Sequence, residues 1–341
     1  MIEKTTHRRR SRLKTSMMAA VAAGVMLSGT SLRAEEVLKA VSAFPLPMVL
    51  SQDFLEFVTD VNEKGEGIVK IQLMGGPEVM PSAQQIDAVK RGIIDIQYGP
   101  ATYHLGSAPE IDAFVGATVS PEEARENGGF ELMQTILQDR LGVRMLSMAQ
   151  AGLEFYVWTV DKPKIKEDGS VDLNGMRLRS QPIYQSFFEG MGAVPVSVGV
   201  PDVYTGLERG TFDGIGWPIA GVTDFSWDKY LKYRIDPGFF NSDLIIVINP
   251  ESYADLSGEA RAVIDQAALE YERDSRQRLA ELTAETDKKV RDAGIEVITL
   301  EGSTATDYLD GAFGSAWARL KASDSTHYDE LRAAFYPSDA E

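Results

Sequence analysis

Apolar residues recur along this chain with two alternating periods. Residues 50–64 carry Phe54, Phe57, Val58 and Val61 at helical spacing, whereas residues 68–74 alternate with the period of two that a strand requires. A short strand over 37–44, broken by Pro45 and Pro47, comes before them. Pro81-Ser82 opens a helix that runs to Arg91 and stops at Gly92, a C-terminal cap, and residues 93–98 follow as a strand. Strands and helices that alternate in this way predict an α/β fold with parallel strands.

The same reading continues downstream. It predicts a helix over 121–141, strands over 143–148 and 155–160, and a polar loop over 162–174. A strand over 176–179, helices over 182–191 and 201–209, a strand over 211–217 and a buried strand over 244–248 complete the pattern. From Ser257 to Ala293, 37 residues counted inclusively, the pattern is helical and free of proline. Val263, Ile264, Ala267, Leu279, Leu282 and Val290 do not keep heptad order, so this helix reads as a strut across two domains rather than a coiled coil.

One motif occurs twice. Ala88-Val89-Lys90-Arg91-Gly92-Ile93-Ile94-Asp95, followed by Pro100, parallels Gly206-Leu207-Glu208-Arg209-Gly210-Thr211-Phe212-Asp213, followed by Pro218. In each copy a helix ends in Arg-Gly, a strand begins, and Asp and Pro stand three and eight residues past the glycine. The repeat predicts two similar lobes, each sending a strand toward a shared cleft. Ligands of open α/β sheets sit beyond the carboxyl ends of strands, so residues 98–103 and 216–221 are the first candidates for cleft walls.

Charge divides the chain. It has 341 residues, 34 Lys and Arg, 51 Asp and Glu, no cysteine and three histidines, with a formal net charge of −17. Residues 1–34 hold seven basic groups against Glu3. Without them 27 basic residues face 50 acidic ones, a net of −23. The basic stretch from His7 to Lys14, the apolar run from Met17 to Leu27 and the small residue Ala34 have the order of a secretory signal peptide, with cleavage expected after Ala34. Arg9-Arg10 leaves twin-arginine and general export both open. The mature chain is expected in the periplasm. So acidic a body lacks the basic face that nucleic acid needs, and the missing cysteines exclude thiolate metal sites, disulfides and cysteine nucleophiles.

Catalytic groups are few. Only His104 and His327 remain beyond the leader, neither in a metal-ligand pair, and no nucleophile elbow, Walker loop or dinucleotide-binding turn is present. No catalytic residue, metal site or cofactor is therefore expected. The segment Leu173-Asn174-Gly175-Met176-Arg177-Leu178-Arg179 puts two arginines on one strand face, and a guanidinium matches both oxygens of a carboxylate. Trp217, Tyr98 and Tyr103 follow the repeated strands and are placed to enclose an apolar ligand body.

The chain resembles the extracytoplasmic solute-binding subunits of tripartite ATP-independent periplasmic (TRAP) transporters, the DctP type. The resemblance rests on Leu173 to Arg179, Gly192-Ala193 with Pro195, Asp202-Val203-Tyr204, Leu207, and Asp213-Gly214 with Pro218. It implies a type II-like, two-lobed periplasmic binding fold, with 35–151 plus 244–282 as one lobe and 152–243 plus 283–341 as the other. It also implies a receptor that closes on an organic anion and hands it to a membrane permease driven by an ion gradient. In that family the Arg ending the Gly-x-[Lys/Arg]-x-Arg strand binds the ligand carboxylate, here Arg179.

Trp217 stands where the family often has Asn, and Gly152-Leu153-Glu154 stands where some members place a second basic residue. Both differences point away from a polyol acid such as a sialic acid and from a dicarboxylate. The expected ligand is a monoanion, carboxylate or sulfonate, with an apolar or aromatic body. Phe44, Tyr204 and Asn241 complete the expected ligand contacts. Glu154 is expected to pair either with a cationic group of the ligand or with a protein arginine. A monomer is expected, because no long helix is read beyond Leu309 apart from the segment near Trp317. An exported α/β enzyme using His104 or an acid pair on a small organic acid is the alternative.

Overall fold

The computed structural model describes residues 34–337, and the expected leader lies outside them except for Ala34. β1 (Glu36–Ser42) leads to α1 (Val49–Lys64), β2 (Val69–Gly75), α2 (Ser82–Lys90) and β3 (Ile96–Pro100). Short α3 (Asp112–Val115) and α4 (Pro121–Glu126) precede α5 (Gly129–Leu141) and β4 (Arg144–Met148). The chain then enters a second sheet as β5 (Phe155–Thr159) and makes a small ribbon of β6 (Lys164–Ile165) and β7 (Val171–Asp172). It continues through β8 (Arg177–Ser180), α6 (Pro182–Gly190), β9 (Val194–Ser197), α7 (Val203–Glu208), β10 (Gly214–Pro218) and β11 (Tyr233–Phe239). It returns to the first sheet as β12 (Leu244–Ile248). α8 (Pro250–Asp255), α9 (Gly258–Asp292), β13 (Glu296–Thr299), α10 (Ser303–Ala322) and α11 (Tyr328–Phe335) complete the described chain.

The two sheets mirror each other in order. The first runs β2-β1-β3-β12-β4 and the second β13-β11-β5-β10-β8-β9. In each, the strand arriving from the other sheet lies beside the strand of the repeated motif. β12 pairs antiparallel with β3, and β5 pairs antiparallel with β10. Both sheets are therefore mixed rather than parallel throughout. The chain changes lobe at these strands, and a strand entering from the far side runs against its neighbours.

Local chemistry accounts for the helix limits. α1 buries Leu50, Phe54, Phe57, Val58 and Val61 along one stripe. The helix expected over 121–141 is two helices, because Gly128 takes a left-handed φ of 84° between them. α4 starts with a reciprocal capping box between Ser120 and Glu123. The strand expected over 93–98 starts only at Ile96, since Gly92 (φ 67°) closes α2 and the following residues turn back over its end.

α9 is the expected strut. Ser257 caps it by accepting from the Ala260 N–H at 3.1 Å, and its 35 residues extend about 52 Å at 1.5 Å each. Midway, the buried Glu272 accepts from Arg125 Nε at 2.6 Å and from the Met148 N–H at 2.8 Å, on the first lobe. Further along, Asp287 pairs at 2.7 Å with Arg234 of β11, in the second sheet. One helix thus touches both sheets.

The C-terminal expectation is corrected. α10 is a helix of 20 residues and α11 follows it. Trp317 and Leu320 of α10 and Leu331 and Phe335 of α11 pack with Phe114, Met133 and Leu137 of the first lobe, although residues 283–341 were expected wholly in the second. The remaining turns of α10, with Tyr308, Ala312 and Ala316, pack with Phe187 and Phe239 of the second lobe.

Candidate functional site

The repeated motif places the site. Gly92 and Gly210, both with positive φ (67° and 62°), end α2 and α7 with matching bonds: Ile93 N–H to Ala88 O at 3.0 Å, and Thr211 N–H to Gly206 O at 2.8 Å. Asp95 and Asp213 then clip the neighbouring strand in the same way. Asp95 exchanges bonds with Lys39, its N–H donating to Lys39 O (2.9 Å) and its carboxylate accepting from the Lys39 N–H (2.8 Å). Asp213 does the same with Arg177, at 2.7 and 2.8 Å. Both motif strands end at proline, Pro100 and Pro218, facing each other across a cleft.

Between those ends lies a cavity. The first lobe contributes Phe44, Leu50, Pro100, Thr102, Tyr103, Asp243 and Leu244. The second contributes Phe155, Arg179, Gln181, Ile183, Tyr184, Trp217 and Pro218, with Leu153 from the crossing between β4 and β5. Apolar walls dominate. A continuous core runs beneath them, joining Phe44, Met48 and Leu50 to Trp217, Ile219 and Val222 of the other lobe.

Arg179 is the last residue but one of β8 and is 1% exposed, whereas Arg177, two residues earlier on the same face, starts the strand and pairs with Asp213. The Arg179 guanidinium is partly anchored. Nε donates to Val198 O at 3.2 Å, and Nη1 donates to the Tyr184 hydroxyl at 2.9 Å and to Gly216 O at 3.4 Å. Nη2 is buried and has no acceptor among the described residues. The guanidinium carbon stands 5.3 Å from the Trp217 ring centroid, within cation–π range. A buried guanidinium with an unmet N–H suits an anion that accepts from it.

Two tyrosines share this field. Burial pushes the Tyr103 phenol up to about 12, with the Arg179 charge opposing and the Asp243 charge adding to the rise. Burial also raises Tyr184, again opposed by Arg179 and aided by Asp243. Both phenols therefore stay neutral and serve as hydroxyl partners. Asp243 itself is raised by burial, against the hydrogen bonds from Thr102.

Of the residues expected from sequence, Arg179, Trp217, Tyr103 and Phe44 line the cavity, and four do not. Tyr98 is fully buried inside the first lobe, stacked 4.8 Å from Phe54, and its hydroxyl donates to Gln150. It alternates to the core face of β3, which takes it away from the cleft. Glu154 is exposed and accepts from the Tyr156 hydroxyl at 3.0 Å, a partner outside both expected alternatives. Tyr204 of α7 is half-buried and packs edge-on against Tyr230, off the buried face formed by Val203, Gly206 and Leu207. Asn241 joins the two crossings between sheets, its Oδ1 accepting from the Gly152 N–H at 3.1 Å.

Sequence reading missed Thr102, Asp243, Tyr184 and Phe155. Thr102 is adjacent to Tyr103 in a segment already singled out, which was a usable signal. Asp243 sits 141 residues from its partner Thr102, a distance no local pattern spans. His104, one candidate of the enzyme alternative, is not among the cavity residues, and burial lowers its pKa.

Comparison with known proteins follows the same lines. The family model described as bacterial extracellular solute-binding protein, family 7 (DctP), matches residues 47–308. The 2,3-diketo-L-gulonate-binding periplasmic protein YiaO of Escherichia coli is 24% identical over 247 residues, 70% of this chain and 74% of its own length. The structure of DctP7 of Bordetella pertussis, an extracytoplasmic solute receptor binding pyroglutamic acid, superposes with a TM-score of 0.76 at 19% identity, over 88% of this chain and 99% of that one. A marine metagenome TRAP solute-binding protein specific for aromatic acids, in complex with 3-hydroxybenzoate, gives 0.75 at 23% identity over 89% and 97%. At these identities the superpositions show the two-lobed fold.

Proposed function

The chain belongs to the bacterial extracellular solute-binding proteins of family 7, the DctP type, and from that premise we propose that its ligand is a small monocarboxylate with an apolar or aromatic body. As a TRAP extracytoplasmic solute receptor it binds and releases an organic acid and is not an enzyme. In this reading it works in the periplasm as a monomer and delivers the acid to the permease subunits of its transporter. The apolar residues of α10 support the monomer, because they are used in the cores of its own chain.

The observation that carries the reading is Arg179. Its guanidinium is buried on the cavity wall with Nη2 unmet, and Trp217 lies at cation–π distance beside it. A carboxylate accepting from that nitrogen pairs a charge that is otherwise costly to bury. Phe44, Phe155, Leu50, Ile183 and Trp217 offer an apolar body dry contacts. Two structural relatives bind pyroglutamic acid and aromatic acids, both classes of compact monocarboxylic acid.

The test is a thermal-shift screen of organic acids, with matched sulfonates and polyol acids. A ligand that binds only the folded protein raises its stability as RT ln(1+[L]/Kd). Monocarboxylates with cyclic apolar bodies are expected to give the largest shifts. Undiminished binding of the best hit by Arg179→Gln would refute the carboxylate clamp.

A further inference from the structure

A second ionisable group is buried on the wall of the same cavity. Asp243, 3% exposed, stands at the end of the crossing that carries the chain from β11 into β12. Its backbone oxygen accepts from the Ala101 N–H at 2.9 Å, which ties it to the segment following β3. Thr102 supplies its side-chain partners. The Thr102 N–H (3.0 Å) and hydroxyl both donate to Oδ2, and Oδ1 receives neither. No lysine, arginine or histidine among the described residues forms an ion pair with it; the contacts that hold its charge are those of Thr102 and the backbone. Arg179 comes from the other lobe, and Tyr103 and Tyr184 feel both charges.

The cavity therefore holds a donor fork on one lobe, an acceptor on the other and aromatic side chains between. A carboxylate ligand brought in beside Asp243 sets further acceptor oxygens against its Oδ1 in a dry space, which is unfavourable unless the ligand offsets it. A hydroxyl or N–H directed at Asp243 is such an offset. A ligand without one leaves a buried acceptor unmet, and sites of that kind reject the analogue strongly.

We propose that Asp243, held by Thr102, is a specificity-determining residue that selects monocarboxylates bearing a hydrogen-bond donor, O–H or N–H, on the part of the molecule remote from Arg179. The inference rests on the carboxylate reading and narrows it. Arg179 takes the carboxylate, the aromatic walls take the body, and Asp243 checks for the donor.

Calorimetric titration of the receptor with two matched pairs tests this. The first pair is 3-hydroxybenzoate against 3-fluorobenzoate. The second is 4-hydroxyphenylacetate against 4-fluorophenylacetate, which again differ only in the donor remote from the carboxylate. In the wild-type protein the donor-bearing member of a bound pair is expected to bind at least tenfold tighter. In Asp243→Asn the Thr102 donors are expected to hold the amide oxygen and turn its NH2 toward the ligand, so that the preference collapses or reverses. Equal affinities within the bound pairs in the wild type, or a preference that survives in Asp243→Asn, overturn the role of Asp243. Arg179→Gln separates the two readings: loss of both members of a pair in that variant upholds the carboxylate clamp even where Asp243 fails. Absence of binding by all four acids at millimolar concentration overturns the clamp and this inference together. The wild-type comparison decides the matter even if Asp243→Asn does not fold.

Discussion

The strands that follow Gly92 and Gly210 share their hydrogen bonds nearly one for one, yet they deliver different chemistry. Asp95 clips Lys39 as Asp213 clips Arg177, and β1 and β8 therefore correspond with an offset of 138 residues (177 less 39), β3 and β10 with one of 118 (213 less 95). On this match Val41 occupies the place of Arg179 and Gly99 the place of Trp217. The strand pairings agree, with Val41 opposite Gln97 and Arg179 opposite Ile215. One copy is finished with small apolar residues and closes a core. The other, on the same frame, carries the cation and the indole of the cavity. The scaffold sets where a strand ends, and the last two side chains decide whether that end is wall or ligand contact.

Exchanging the finishing residues is the strongest way to break this comparison. Arg179→Gln is expected to weaken ligand binding by about 100-fold, in the lower half of the roughly 2–5 kcal/mol lost when one partner of a buried charged pair is truncated. Its melting temperature should hold or rise, because an unmet buried guanidinium nitrogen is removed. Val41→Ala should do the reverse, costing about 2 kcal/mol of stability with ligand affinity unchanged. Titration and thermal melts of both variants check this, and weakened binding in Val41→Ala would contradict the division of roles.

Gly99→Ala comes next. A Cβ there would lie 2.3 Å from Ala43 Cβ, so the place that takes an indole in the second lobe does not admit a methyl group in the first. Overpacking of this kind costs about 2 kcal/mol, and chemical denaturation should show it. The segments after the two strands differ as well. That after β3 folds back onto Asp243, whereas that after β10 reaches the other lobe, where Asp224 accepts from the Val49 N–H at 3.1 Å. Asp224→Ala should weaken ligand binding about fivefold, matching the loss of about 1 kcal/mol for a helix cap, and the dissociation rate should carry the change.

The smallest effect concerns the clip itself. Bonds from Arg177 hold the Asp213 carboxyl below its ordinary 3.8, so its contribution is complete above pH 3.8 and fades as the pH falls through the lowered value. The pair is over a third exposed, which limits the contribution to about 0.5 kcal/mol. Asp213→Asn should flatten the acid limb of the stability curve by that amount, and no flattening would mean the backbone bonds alone hold the strand.

Much of this was legible because it is local. The Arg-Gly-x-x-Asp pattern is a complete helix stop and strand clip within eight residues, and Ser257 starts a helix with no proline for 35 residues. Arg179 was legible through its strand. The losses share a cause. Tyr98 stands two residues from the cavity-lining Pro100, but the strand pleat turns it inward, and Tyr204 is half-buried against Tyr230, far from the cavity residues in sequence. Asp243 and Thr102 meet only because β12 returns beside β3 after a passage through the other lobe. α10 was obscured by its own composition, with Gly311 and Gly314 lowering its helical signal, and it is stabilised by packing against both lobes rather than by propensity.

The cap on α1 has a further consequence. Met48 offers no side-chain cap, and the carboxylate at that helix end belongs to Asp224 of the other lobe. Parting the lobes would therefore fray the first turn of α1. Amide hydrogen exchange at Val49, Leu50 and Ser51 becomes a clock for cleft opening, read without any label in the cavity. A bound acid that holds the lobes together should slow those three amides far more than the amides at the C-terminal end of the same helix.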